Sequence, residues 1–225
     1  MIETLSPNFE PRPNGTAIDI LVVHYTGMRS AAEALQRLCD PAAKVSAHYL
    51  IDEDGQIHCL VAEDQRAWHA GVASWCGYNN INDRSIGIEL VNPGHEFGYR
   101  AFPEEQLAAF QDLATAILAR HPIRAGNVVG HSDVAPRRKT DPGEFFDWQR
   151  MAAAGIGLWP VPAEHREDDP VRLAEMLRGI GYDTEDFPAA VRAFQRHFRP
   201  ERVNGRIDPE TARLIAGLLA IVQDR

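Results

Sequence analysis

Cysteine is scarce in this chain, and the little there is excludes a disulfide framework. Cys39, Cys59 and Cys76 are odd in number and form no Cys-x-x-Cys pair, so a stapled secreted scaffold and a thiolate metal site both lack the residues they need. Long apolar runs are missing too. No stretch approaches the ~20 residues of a membrane span, and the first thirteen residues carry no basic head, apolar run or small-residue cleavage site. As written, the sequence predicts a cytoplasmic protein; a periplasmic or outer-membrane-anchored location is the alternative if a signal segment has been removed. Positive charge is the third scarcity. Against 32 Asp and Glu stand 23 Lys and Arg, a net charge of -9 spread along the chain, which disfavours nucleic acid and anionic membrane surfaces as partners.

What is present suffices for a packed core, since 44% of the 225 residues are hydrophobic. Residues 18–24 read as a buried strand. Ser30-Ala31-Ala32-Glu33 is a capping box that opens a helix through Cys39, and residues 47–51 and 56–60 read as strands around the turn signal Asp54-Gly55. Residues 86–91 continue the sheet. Pro103 starts a helix with the apolar stripe Leu107, Phe110, Leu113, Ala114, Ile117 and Leu118, and residues 128–130 form a short strand. Strands mixed with helices predict an α/β fold with a central mixed β-sheet flanked by helices.

Residues 155–163 read as a linker bordered by the charged segment 164–169. Beyond it the pattern is purely helical. Asp169-Pro170 caps a helix carrying Val171, Leu173, Leu177 and Ile180; Phe187, Val191, Phe194 and Phe198 mark a second; Asp208-Pro209 caps a third with Ile215, Leu218, Leu219 and Val222. The expected division is residues 1–160 as one domain and 161–225 as a small three-helix bundle.

Both histidine candidates stand at strand ends. His24 closes the first apolar strand, and His131 and Asp141 follow more than a hundred residues later, in Gly130-His131-Ser132-Asp133 and Lys139-Thr140-Asp141-Pro142-Gly143. Two imidazoles and a carboxylate fit a hydrolytic zinc site with an open fourth position, whereas structural sites fill all four, usually with thiolates. A lone strand-end histidine also reads as a hydrogen-bonded core residue; the combination favours the site. Glu89 lies in the middle of an apolar strand, where alternation sets Gly87, Glu89 and Val91 opposite Ile86, Ile88 and Leu90. A buried carboxylate needs a partner. An ion pair with Arg84 and a metal-activated water both supply one.

Five spaced blocks carry a resemblance: Val22-Val23-His24-Tyr25-Thr26, Ser46-Ala47-His48-Tyr49-Leu50, Ala67-Trp68-His69-Ala70-Gly71, Ser85-Ile86-Gly87-Ile88-Glu89, and Gly130 to Pro136 followed by Lys139 to Gly143. In this order they resemble the zinc-dependent N-acetylmuramoyl-L-alanine amidases of the second amidase family, relatives of the peptidoglycan recognition proteins. The resemblance implies one Zn²⁺ per chain on His24, His131 and Asp141, Glu89 as catalytic base, and Lys139 as a cation near the scissile carbonyl. Lys139 also sits in the basic run Arg137-Arg138-Lys139, which reads as solvated surface.

By the same resemblance the substrates are peptidoglycan fragments (muropeptides), and Tyr25, His48, Trp68, His69, Arg84 and Asn92 are substrate contacts. His48 reads equally as a core histidine. Trp75 and Tyr78 follow in an Asn- and Gly-rich loop suited to a groove wall, with buried aromatic packing as the competing reading. The helical segment resembles peptidoglycan-binding domains of the first type; a buttress for the first domain explains the same pattern. A non-catalytic peptidoglycan sensor on this fold is the alternative function, and the presence of Glu89 and Asp141 argues for the enzyme.

Overall fold

The computed structural model describes residues 1–164 and 169–224; residues 165–168, part of the charged border of the linker, lie outside them. In chain order the strands are β1 (Ile2–Glu3), β2 (Phe9–Pro11), β3 (Ile20–Tyr25), β4 (Tyr49–Ile51), β5 (Ile57–Cys59), β6 (Gln65–Ala67), β7 (Ser74–Trp75), β8 (Tyr78–Asn79), β9 (Ser85–Leu90) and β10 (Val128–Gly130). The helices are α1 (Ala31–Cys39), α2 (Gly94–Phe97), α3 (Glu104–Arg120), α4 (His131–Val134), α5 (Trp148–Ala153), α6 (Pro170–Ile180), α7 (Phe187–Phe198) and α8 (Pro209–Gln223).

Six strands form the central sheet in the order β1-β5-β4-β9-β3-β10. β4 and β5 are the expected antiparallel hairpin, while β4, β9, β3 and β10 run parallel, so the sheet is mixed as predicted. β3 and β9 are buried on both faces and read accordingly as continuous apolar runs. The capping box at α1 forms by half: Ser30 accepts the Glu33 amide, but the Glu33 carboxylate reaches back to the Arg29 amide, one residue earlier than expected.

Alternation along β3 and β9 divides the core. Leu21, Val23, Ile86, Ile88 and Leu90 face α3 and the aromatic residues Phe146 and Trp148. On the opposite face, α1 covers Leu50, Leu60 and Val91 at one side of the sheet, and α6, α7 and α8 cover Ile20, Val22 and Val129 at the other. The three C-terminal helices are capped by Asp169, Asp186 and Asp208, each followed by proline in the first turn. Their core is continuous with that of the sheet: Leu177, Phe194 and Ile215 belong to one apolar cluster with Ile20, Val22, Val129 and Val134. The bundle is therefore a layer of the fold, not an appendage on a tether. No helix among the described residues is long and apolar enough to cross a membrane.

Candidate metal centre

Between the two helical covers, the second face of the sheet carries polar side chains. His24 stands near the end of β3, and in the parallel ladder its register partner on β9 is Glu89. β10 pairs with β3 on the other side and delivers His131 as the first residue of α4. Gly130, at that junction, is required by space, because a Cβ there would stand 2.7 Å from Pro142 Cδ. The close approach seats the Asp141 segment, whose backbone carbonyl accepts the Ser132 amide at 2.8 Å.

Hydrogen bonds settle which nitrogen of each imidazole is free. The Ser85 hydroxyl donates to the Ile81 carbonyl at 2.7 Å, so its oxygen accepts His69 Nε2–H at 3.1 Å. His69 Nδ1 then accepts His24 Nε2–H at 3.0 Å, which leaves His24 Nδ1 as a lone pair. His131 Nε2–H donates to the Ala70 carbonyl at 3.0 Å and likewise leaves Nδ1 free. The two free nitrogens lie 2.9 Å apart, and Asp141 Oδ2 lies 3.0 Å from one and 2.9 Å from the other. Burial and then the neighbouring His131 lower the His24 pKa to about 4, keeping it neutral. Burial pulls Asp141 upward, but His131 and His24 outweigh it and hold the carboxylate below its ordinary range.

Three buried acceptors turned toward one another repel unless a cation lies among them, and all three ligand atoms fall within 4.8 Å. This group could hold a metal ion. Two neutral imidazole nitrogens and one carboxylate oxygen are the donor set that zinc accepts, with a position left over.

His131 and Asp141 line a pocket of about 370 Å³ with Tyr25, Trp68, Glu89 and Lys139. Glu89 Oε2 is buried and has no hydrogen-bond partner, and the Trp68 indole N–H likewise lacks an acceptor. Burial, and next the Asp141 carboxylate, push the Glu89 pKa well up, with Lys139 opposing. Gly87 makes the space expected beside Glu89, and the His69 ring occupies it: a Cβ at Gly87 would come within 2.5 Å of that ring. The basic run is split by role. Arg137 pairs with Asp183 and Glu185, Arg138 donates to the Val72 carbonyl, and Lys139 lines the pocket.

Of the six expected substrate contacts, Tyr25, Trp68 and His69 line this pocket, His69 also standing behind His24. The Tyr25 hydroxyl bonds Thr140 Oγ1 at 2.9 Å. The other three are elsewhere. His48 is fully buried; Nδ1 accepts the Gly87 amide and Nε2–H donates to the Gln65 carbonyl, and burial followed by the charge of Arg12 lowers its pKa to about 3. Arg84 stands at the far end of β9 from Glu89, binds Asp19 through Nε at 2.7 Å, and lines a separate cleft. It is therefore not the ion-pair partner of Glu89. Asn92 is buried and holds the loop after β9, donating to the Arg100 carbonyl and accepting the Gly94 amide. Trp75 is packed against Tyr182 in the core, while Tyr78 is exposed under the Arg84 guanidinium.

One constellation escaped the sequence reading. Asp133, wholly buried two residues after His131, accepts the Gly130 amide and His197 Nδ1–H at Oδ2, both at 2.7 Å, and the Tyr182 hydroxyl at Oδ1, 2.8 Å away. Two of these three donors come from the C-terminal segment, Tyr182 just after α6 and His197 on α7. The signal available was a histidine within the apolar face of α7.

Comparison with known proteins adds to this geometry. A sequence model of the Amidase_2 family, N-acetylmuramoyl-L-alanine amidase, matches residues 14–144. The chain is 38% identical over 230 residues to N-acetylmuramoyl-L-alanine amidase AmiD of Escherichia coli K12, covering 90% of this chain and 82% of that protein. It is 36% identical to the 1,6-anhydro-N-acetylmuramyl-L-alanine amidase AmpD of Haemophilus influenzae, over 66% of this chain and 89% of AmpD. The structure of E. coli AmiD with anhydro-N-acetylmuramic acid-L-Ala-D-γ-Glu-L-Lys superposes with a TM-score of 0.82 at 36% identity, covering 93% of this chain and 92% of that one. This chain belongs to the Amidase_2 family of N-acetylmuramoyl-L-alanine amidases.

Proposed function

We propose that this protein uses one zinc ion to hydrolyse the amide bond between N-acetylmuramic acid, including its 1,6-anhydro form, and the L-alanine of peptidoglycan stem peptides, in cell-wall turnover or recycling. The observation that carries the reading is the convergence of three buried lone-pair atoms beside a buried carboxyl oxygen with no partner. His24 Nδ1, His131 Nδ1 and Asp141 Oδ2 would hold the ion. When bound, zinc supplies Lewis acidity that polarises the carbonyl and eases loss of a proton from water.

The protein's own groups do the rest. Glu89 takes the proton from the attacking water and passes it to the departing amine. The Lys139 ammonium lies where negative charge grows on the carbonyl oxygen. Trp68 offers its unpaired N–H to the substrate, and Tyr25 lines the approach. We take residue 160 as the border between the segment that carries this chemistry and the helical segment 161–225.

Incubation with defined muropeptides followed by mass spectrometry is expected to yield free stem peptide and sugar; cleavage at any other bond would sink the assignment. Elemental analysis should find one zinc per chain. Chelation should abolish turnover, and His131→Ala should lose most of the metal. Full activity of the metal-free protein would exclude zinc from the reaction.

His69 supports this reading as a positioning residue, since through Ser85 and the Ile81 carbonyl it fixes which His24 nitrogen bears the proton. His69→Leu is expected to weaken zinc binding roughly 10- to 100-fold, read by competition with a chromogenic chelator. An unchanged zinc affinity in a folded variant would remove His69 from that role.

A further inference from the structure

Beyond Lys139 a second cleft opens between residues 136–140 and α7. Its volume is about 260 Å³, and Lys139 and Thr140 line it as well as the metal pocket, so the two are adjacent. α7 contributes Arg192 and Arg196, one helical turn apart on the same face. Like charges at that spacing repel one another.

Neither arginine is neutralised as Arg137 is by Asp183 and Glu185. Arg192 has no ion-pair or hydrogen-bond partner among the described residues. Arg196 has only Glu144, 3.8 Å from a buried Nε that makes no hydrogen bond. The Glu144 carboxylate is engaged closer at hand by His95 Nε2, at 3.1 Å. The one acid lining the cleft, Asp186, accepts the Ala189 amide as the cap of α7. In a chain of net charge -9, a cleft lined by Lys139, Arg192 and Arg196 is a local reversal of sign.

We propose that this cleft binds the carboxylates of an acidic stem peptide, through Arg192 and Arg196 of α7, one or two residues beyond the scissile amide. The proposal rests on the amidase reading for the identity of the ligand. A γ-linked glutamate, such as that in the peptide bound to E. coli AmiD, keeps its α-carboxylate free, and a guanidinium recognises a carboxylate by paired N–H donors. The C-terminal layer thereby becomes a specificity element: muropeptides with free carboxylates bind better than the same peptides amidated.

The test uses full-length, zinc-loaded protein and two probes, the free tripeptide L-Ala-γ-D-Glu-L-Lys and its bis-amide, titrated by calorimetry. Wild type should favour the acid form, and Arg192→Gln/Arg196→Gln should weaken it roughly tenfold while leaving the amide's affinity unchanged. Glutamine keeps helix propensity, and thermal melting checks the fold. On the muropeptide, KM should rise in the double variant with kcat unchanged. Equal affinities of wild type and double variant for the acid tripeptide, or equal losses for acid and amide, would overturn the subsite. If the arginines govern tripeptide affinity yet no muropeptide is cleaved, the amidase reading falls and the subsite stands.

Discussion

Replacing Glu89 by glutamine is expected to leave fold and zinc content intact while turnover falls about 10²- to 10⁴-fold, the range for loss of a general base. Glutamine keeps the shape at this register position and cannot take a proton. The base works only when deprotonated, so the wild-type rate should rise with pH through the Glu89 pKa. In the metal-free protein that pKa is pushed above the ordinary carboxylate range by burial and then Asp141; a cation held by the ligand group would draw it back down. The acidic limb should be absent from the residual activity of the variant.

Stability supplies a second readout. A carboxyl whose folded pKa exceeds its unfolded value stabilises the fold below the unfolded pKa, and that contribution is lost as pH rises through the folded one. The buried histidines His24, His48 and His69, whose pKa values are lowered by burial, act in the opposite sense, so the test is the difference: metal-free Glu89→Gln should gain stability relative to metal-free wild type on going from acid to neutral pH. Single-turnover kinetics and thermal melting on the same preparation decide. A stable, zinc-loaded variant that cleaves at the wild-type rate would exclude Glu89. His48 could not replace it, since it does not line the pocket and its ring nitrogens are engaged by the Gly87 amide, the Gln65 carbonyl and the Arg12 guanidinium.

Removing residues 163–225 is expected to abolish cooperative folding and metal binding together. From the sequence alone the opposite follows, because every proposed catalytic group precedes the linker. The structure changes that expectation at two places. Truncation bares Ile20, Val22, Val129 and Val134 on the sheet and α4, and it strips Asp133 of the Tyr182 and His197 donors. Leaving a buried charge without partners costs about 3 to 5 kcal/mol, comparable with the whole stability of many domains. A milder change, His197→Phe, keeps an aromatic ring stacked on Trp148 and should cost about 1 to 3 kcal/mol in urea unfolding through the lost hydrogen bond. A folded, zinc-loaded fragment 1–162 that cleaves short muropeptides at the full rate would show the layer to be dispensable.

Legibility in the sequence followed a physical line. β3, β9, β10 and α3 could be read because their apolar patterns record burial against a sheet or helix, and α6 to α8 because Asp-Pro and Asp-x-Pro starts record capping. The ligand candidates could be read because their residue types stand at strand ends in recognisable blocks. Direction was harder. Arg84 immediately precedes β9 while Glu89 lies near its other end, and nothing in a one-dimensional string says which of these ends faces the pocket. His48 lies in one of the blocks that carry the resemblance and Asn92 three residues past another, yet their side chains bond backbone that only the folded chain brings near. Tyr182 and His197 stand 49 and 64 residues away from Asp133, and each has an ordinary local context. β1, β2 and β6 to β8 are two or three residues long, too short for a period to show.

His24 and Glu89 face each other across a parallel ladder and not across a loop. Their separation is set by backbone hydrogen bonds that any side-chain sequence can make, so the chemical step is insulated from changes in the segments that shape the pocket rim. Residues 68–80 and 136–145, with the exposed face of α7, can then diverge among descendants, lengthening or reversing charge to suit new muropeptides, while ligand and base keep their spacing. In such a lineage specificity drifts quickly and the reaction slowly, which makes the rim loops the natural targets for redesigning substrate choice.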